Sequence, residues 1–286
     1  NEIRGDPQLR AHFQIWQYAY PTGTPVLYNA KEMRHILGGA VKQLDPAGKN
    51  FASTHLVVLG HSMGGLLTHT LVSSSGWKLW NSLFTVPPAQ LRGDAQFIRE
   101  LQQLFFFQRD RRVVRAIFVA TPHRGSPVSE GLAGRLGQAL VMLPDTFNTS
   151  FAKLAAENRD QMQPAGYAFY QGGRMSVIRA LSSRSPALMA LAELPVEVPF
   201  NSIIGQRSAG PVATGSDGVV PYASSHQAGA ESELVVRSGH TAYEAPAAIA
   251  EIRRILHKGL GSKGAPSSDV PSKRAMRGRP GRVTSD

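Results

Sequence analysis

Residues 56–65 read Leu56-Val57-Val58-Leu59-Gly60-His61-Ser62-Met63-Gly64-Gly65. An apolar run enters a G-x-S-x-G pentapeptide, and a helix-forming stretch leaves it. This pattern predicts a buried strand, a sharp turn bearing Ser62, and a helix. The turn forces the serine into a strained backbone and projects its hydroxyl from the carboxyl end of a sheet. Gly60 and Gly64 supply the missing Cβ atoms where side chains would strike neighbouring backbone. The helix that follows aims free N–H groups and a positive dipole end at the serine. The Met63 N–H is a natural donor to a developing oxyanion. As a purely structural element the same residues make a tight strand–helix turn. His61 is expected to face away from the partner of Ser62, packing the turn or forming part of the site wall.

Working outward, further apolar runs mark strands at Ile15–Tyr20, Val113–Ala120, Phe200–Ile204 and Glu233–Arg237. Between them lie helical patterns. Asn29 is expected to cap a helix with Met33, Ile36, Leu37, Val41 and Leu44 on its apolar face. A closing helix is expected from Glu244 to about His257. Strands alternating with helices predict an α/β fold: a mostly parallel sheet with helices on both faces. Two helical insertions interrupt it, at about 77–112 and 127–197. The first is rich in aromatic residues (Trp77, Trp80, Phe84, Phe97, Phe105, Phe106, Phe107) and reads either as an apolar cap over the serine or as packing of the insertion on the sheet. Phe106 and Phe107, beside Arg109, Arg111 and Arg112, are expected to be exposed and to offer a peripheral membrane contact.

Length and composition bound the function. The chain has 286 residues, 42% of them hydrophobic, enough for one large domain at about 1–260. There is no cysteine, which excludes disulfides, thiolate metal sites and a thiol nucleophile. No apolar run approaches the ~18 residues of a membrane span, so a soluble or peripheral protein of open compartment is expected. Net charge is +11. Residues 261–286 carry six Lys/Arg against two Asp and read as a basic disordered tail. The basic body suits an anionic lipid surface or a solvated face, and no motif points to nucleic acid. No histidine or carboxylate pattern points to a metal, and nothing implies a cofactor.

A serine hydroxyl needs a base, and the base an orienting carboxylate. In sheet proteins with this elbow both follow the serine along the chain, in loops after later strands. His240 follows the last strand directly, in Arg237-Ser238-Gly239-His240-Thr241. His69 lies too far along the elbow helix, and His226 follows no strand. His123, in Thr121-Pro122-His123-Arg124-Gly125-Ser126, is read as a structural or site-wall residue. For the acid, Asp217 in Gly215-Ser216-Asp217-Gly218 combines a post-strand position with small neighbours. The alternative is a turn aspartate capping its own loop.

Together these motifs resemble the α/β-hydrolase superfamily, most closely its branch of lipase-like serine esterases and acyltransferases. The residues that carry the resemblance are Gly60–Gly65, Thr121–Ser126, Ser216-Asp217-Gly218-Val219-Val220-Pro221 and Gly239-His240, over about residues 1–258. The resemblance implies Ser62 as nucleophile, Asp217 as acid, His240 as base and Met63 N–H as one oxyanion donor. It implies a small-molecule ester or lipid substrate and no cofactor. Acyl transfer to another alcohol by the same triad, or a non-catalytic lipid-binding or scaffold role, are the alternatives. Nothing before Ile15 matches the family's second oxyanion loop. That loop and its strand are expected upstream of Asn1, leaving this chain unstable or weakly active when made alone.

Overall fold

The computed structural model describes residues 2–22, 24–126, 145–170 and 181–261. Its centre is a four-stranded, wholly parallel sheet in the order β1 (Leu56–His61), β2 (Val113–Val119), β3 (Phe200–Gly205), β4 (Ser232–Val236). Parallel neighbours require crossover connections, and the helices supply them. Alternation along β2 sets the two faces. Ala116 and Phe118 join one apolar core with Leu66 and Leu67 of the elbow helix Met63–Leu71. Ile117 and Val119 join the other, with Ile203, Val236, and Ile252 and Ile255 of the closing helix Pro246–Gly261. Sheet residues buried on both sides explain the nearly unbroken apolar run of β2.

The expected strand at Ile15–Tyr20 does not form. Among the described residues the segment pairs with no strand, and Ile15 and Trp16 are 41% and 48% exposed. A strand exists only where a neighbour accepts its N–H and C=O groups. Here β1 pairs with β2 alone, and Leu59 on it is 41% exposed. The long helix runs Val26–Leu44, starting after Pro25 rather than at Asn29. Asn29 instead lies buried inside its first turn, donating from Nδ2 to the carbonyls of Pro21 and Thr24, each at 3.0 Å. Proline at the cap fixes a φ suited to the helix start. Met33 and Val41 face the core, but Ile36 and Leu44 are exposed. Ile36 lies at the margin of the buried face formed by Val26, Ala30, Met33 and Val41, and Leu44 is the final helical residue.

The first insertion, at about 77–112, is rich in aromatic residues. That segment leaves the carboxyl end of the elbow helix and enters the amino end of β2, so both its ends sit at the rim opposite the serine. Ser75 N–H donates to Phe107 O and Asp110 N–H to Leu71 O, closing that rim. Trp80 is fully buried and packs on Phe84, Phe105 and Phe106. The expected exposed pair is not exposed. Phe106 is half-buried between Trp77 and Trp80, and Phe107 is buried under the Arg34 guanidinium, 4.6 Å from its ring centre. Arg109 and Arg112 pair with Glu197 and Asp110. Of the second insertion, 127–144 and 171–180 lie outside the described residues, as does the tail from 262. Among the described residues no helix is long and apolar enough to cross a membrane.

Candidate active site

Ser62 sits between β1 and the elbow helix with φ 53° and ψ −127°. Only Ser62 and Ala120 among the described non-glycine residues have positive φ. Such a conformation costs on the order of 1–3 kcal/mol and persists only where its surroundings enforce it. The glycines enforce it by close approach. A Cβ on Gly60 would lie 2.4 Å from Gly64 O, and one on Gly65 would lie 1.9 Å from Thr121 Oγ1. The Ser62 N–H donates to Val119 O at 2.9 Å, tying the turn to the end of β2.

Three residues far apart in sequence meet here. His240 Nε2 lies 2.8 Å from Ser62 Oγ, and His240 Nδ1 lies 2.8 Å from Asp217 Oδ2. The other carboxylate oxygen, Asp217 Oδ1, accepts N–H bonds from Val219 at 2.8 Å and Val220 at 2.7 Å. Asp217 is therefore both the turn aspartate and the partner of His240; the two readings of Ser-Asp-Gly are one geometry. Both Ser62 and Asp217 are buried. With Asp217 accepting, Nδ1 carries the ring proton and Nε2 presents its lone pair to the serine hydroxyl. Close backbone approach is needed here too: a Cβ on Gly205, at the end of β3, would meet Gly239 O at 2.8 Å and Asp217 Cβ at 2.9 Å.

His61 corrects its sequence reading. It faces His240: its Nε2 is 2.8 Å from His240 O, and its ring lies 5.0 Å from the His240 ring and 4.6 Å from that of Tyr243. Burial lowers its pKa, so the neutral ring donates from Nε2 to that carbonyl and pins the loop that carries His240. No periodicity could have signalled this, because the contact joins residues 179 apart.

For His123 the structure shows the structural alternative of its reading. It is fully buried against Phe118, its Nδ1 3.3 Å from Nδ1 of His69. His69 in turn contacts Leu194 O through Nε2. Burial pushes His69 down to about 4 and His123 well below the usual imidazole range. The remainder of that motif braces the loop that carries Asp217: Arg124 donates to the carbonyls of Ala223 and His226, and Ser126 Oγ donates to Val219 O at 2.6 Å. Met63, the first helical residue, leaves its N–H without an intrahelical acceptor beside Ser62.

No protein-family model matches this chain, and no curated protein sequence matches it. Among solved structures it is similar to the mature lipase BlEst2 of Bacillus licheniformis, at 13% identity over 82% of this chain and 75% of that one, with a TM-score of 0.39. It is also similar to EstA of Clostridium botulinum (12%, 71% and 64%, TM-score 0.39) and to the lipase of Staphylococcus hyicus (12%, 72% and 71%, TM-score 0.36). At this degree of likeness, function rests on the side chains of the site itself.

Proposed function

We propose that this protein is a serine hydrolase that cleaves carboxylic esters through an acyl-enzyme. The observation that carries the reading is the continuous chain Ser62 Oγ, His240 Nε2, His240 Nδ1, Asp217 Oδ2, with both links at 2.8 Å. A non-catalytic binding protein has no need of a strained serine, a base in contact with it and a buried carboxylate behind the base.

In the first half-reaction Ser62 Oγ bonds to the ester carbonyl carbon as its proton passes to His240 Nε2. The carbonyl π pair moves onto oxygen, and the Met63 N–H donates to that oxyanion. Collapse breaks the bond to the alcohol oxygen, which leaves with the proton from His240. Water then adds to the acyl-enzyme with His240 again as base, and the carboxylic acid departs as Ser62 regains its proton. Asp217 holds the imidazole in one tautomer and stabilises the imidazolium. Replacing Ser62 by alanine removes the nucleophile and is expected to lower kcat on a p-nitrophenyl ester by about 10⁶. Cleavage retained at the wild-type rate would point to another nucleophile.

A further inference from the structure

An oxyanion is stabilised by more than one donor in most acyl-transfer sites, and the Met63 N–H is only one. The segment 13–22, which forms no strand, brings a side chain to this turn. A Cβ built on Gly64 would lie 3.3 Å from the Tyr20 hydroxyl. Gly64 is the second residue of the elbow helix, directly after Met63. The phenol therefore abuts the same first turn that supplies the backbone donor. Among the described residues the Tyr20 hydroxyl makes no hydrogen bond, whereas the neighbouring Tyr18 hydroxyl donates to Asn29 O.

The position of Tyr20 is fixed rather than incidental. Its ring stacks on that of Tyr18, with centres 5.5 Å apart and planes 22° apart. Pro21 holds the preceding backbone extended. The turn after it is clamped by Asn29 Nδ2, which donates to Pro21 O and Thr24 O from a fully buried position. This gives the buried asparagine a purpose that its place inside a helix otherwise lacks. A side chain at Gly64 would press on the phenol, the one group within 4 Å of where its Cβ would stand.

We propose that the Tyr20 hydroxyl is the second oxyanion donor of this chain, hydrogen-bonding the oxygen that becomes negative when Ser62 adds to an acyl carbonyl. Burial and the adjacent Tyr18 push the Tyr20 phenol up to about 12, so it stays protonated and able to donate at neutral pH. The donor is then supplied from within residues 1–286, not only from the upstream loop expected on the sequence. The proposal rests on the serine-hydrolase reading.

The test is Tyr20→Phe in the full chain, which keeps the ring and its stacking and deletes one oxygen. Wild type is first labelled with a fluorophosphonate; absence of labelling at Ser62 would remove the hydrolase reading and this proposal with it. With labelling established, p-nitrophenyl butyrate hydrolysis by Tyr20→Phe is expected to lose at least tenfold, up to about 10²-fold, in kcat and equally in kcat/KM, with KM within twofold. Affinity for a boronic acid, which adds to Ser62 as a tetrahedral adduct, should fall by a similar factor. Unchanged kcat would overturn the donor role while leaving the triad intact, and so would a rise in KM alone. A thermal midpoint more than about 5 °C below wild type would assign the hydroxyl to packing and equally overturn it.

Discussion

Asp217→Asn separates the orienting role of this carboxylate from its structural role, because each oxygen has its own partners. Oδ1 accepts two backbone N–H bonds, at 2.8 and 2.7 Å, and Oδ2 faces His240 Nδ1 at 2.8 Å. Asparagine has one oxygen and one NH₂. Keeping the loop requires its oxygen at the two N–H donors, which puts the NH₂ against His240. Flipping the amide would press the NH₂ onto those donors and forfeit two buried hydrogen bonds, at about 1–3 kcal/mol each. The NH₂ must therefore donate to Nδ1, forcing the ring proton onto Nε2, where it meets the Ser62 hydroxyl. The base then has no lone pair for the serine proton. The expected loss is about 10⁴ in kcat, near 5 kcal/mol of barrier at 1.36 kcal/mol per decade. Stability should stay within about 1 kcal/mol of wild type, since every backbone contact survives. The assay is steady-state hydrolysis of a p-nitrophenyl ester beside a urea titration. A folded Asp217→Asn variant retaining more than a tenth of wild-type kcat would refute the reasoning.

Other outcomes follow from single contacts. His61→Leu deletes the donor to His240 O, a loss of about 1–1.5 kcal/mol; expressed in base placement, this is near tenfold in kcat with KM unchanged, and an unchanged kcat would show that the loop needs no such tie. Gly65→Ala places a methyl 1.9 Å from Thr121 Oγ1 and 2.7 Å from its Cβ; it should destabilise by about 1–3 kcal/mol, and adding Thr121→Ala should restore only part of that in urea melts. His69, lowered to about 4 by burial, makes stability pH-dependent. Its unfolded imidazole binds a proton below about 6.5 while the folded one does not until about 4. Stability is thus complete above pH 6.5 and falls as pH drops toward 4, by about 2 kcal/mol at pH 5 from this residue alone. A flat urea midpoint between pH 7.5 and pH 5 would contradict this, and His69→Gln should flatten the slope.

The elbow was legible because its signals are local: an apolar run of strand length, glycines at fixed offsets, a helix behind. β2, β3 and β4 carried the same kind of signal, and Asp217 and His240 stood out once the strand ends were placed. What stayed hidden depends on partners remote in sequence. Ile15–Tyr20 has a strand's composition, but strand status belongs to a pair, and the edge of β1 does not pair with it. Asn29 looked like a cap because its spacing fits; its buried contacts lie on the turn before the helix. Hydrophobicity marked the aromatic insertion as buried without saying which rings pack together. The surroundings of His61 and His123 stayed hidden for the same reason. The motif neighbour of Ser62 touches the base, while the residue that follows a strand end packs beneath the sheet's surface.

The most direct test of the account is covalent labelling of the full chain by a fluorophosphonate, with the modified residue located by peptide mass spectrometry. The geometry predicts a single adduct on Ser62, absent from Ser62→Ala and slowed by several orders of magnitude in His240→Ala. An unlabelled Ser62 in folded protein, or equal labelling rates with and without the imidazole of His240, would contradict the claim that these two side chains act together as nucleophile and base.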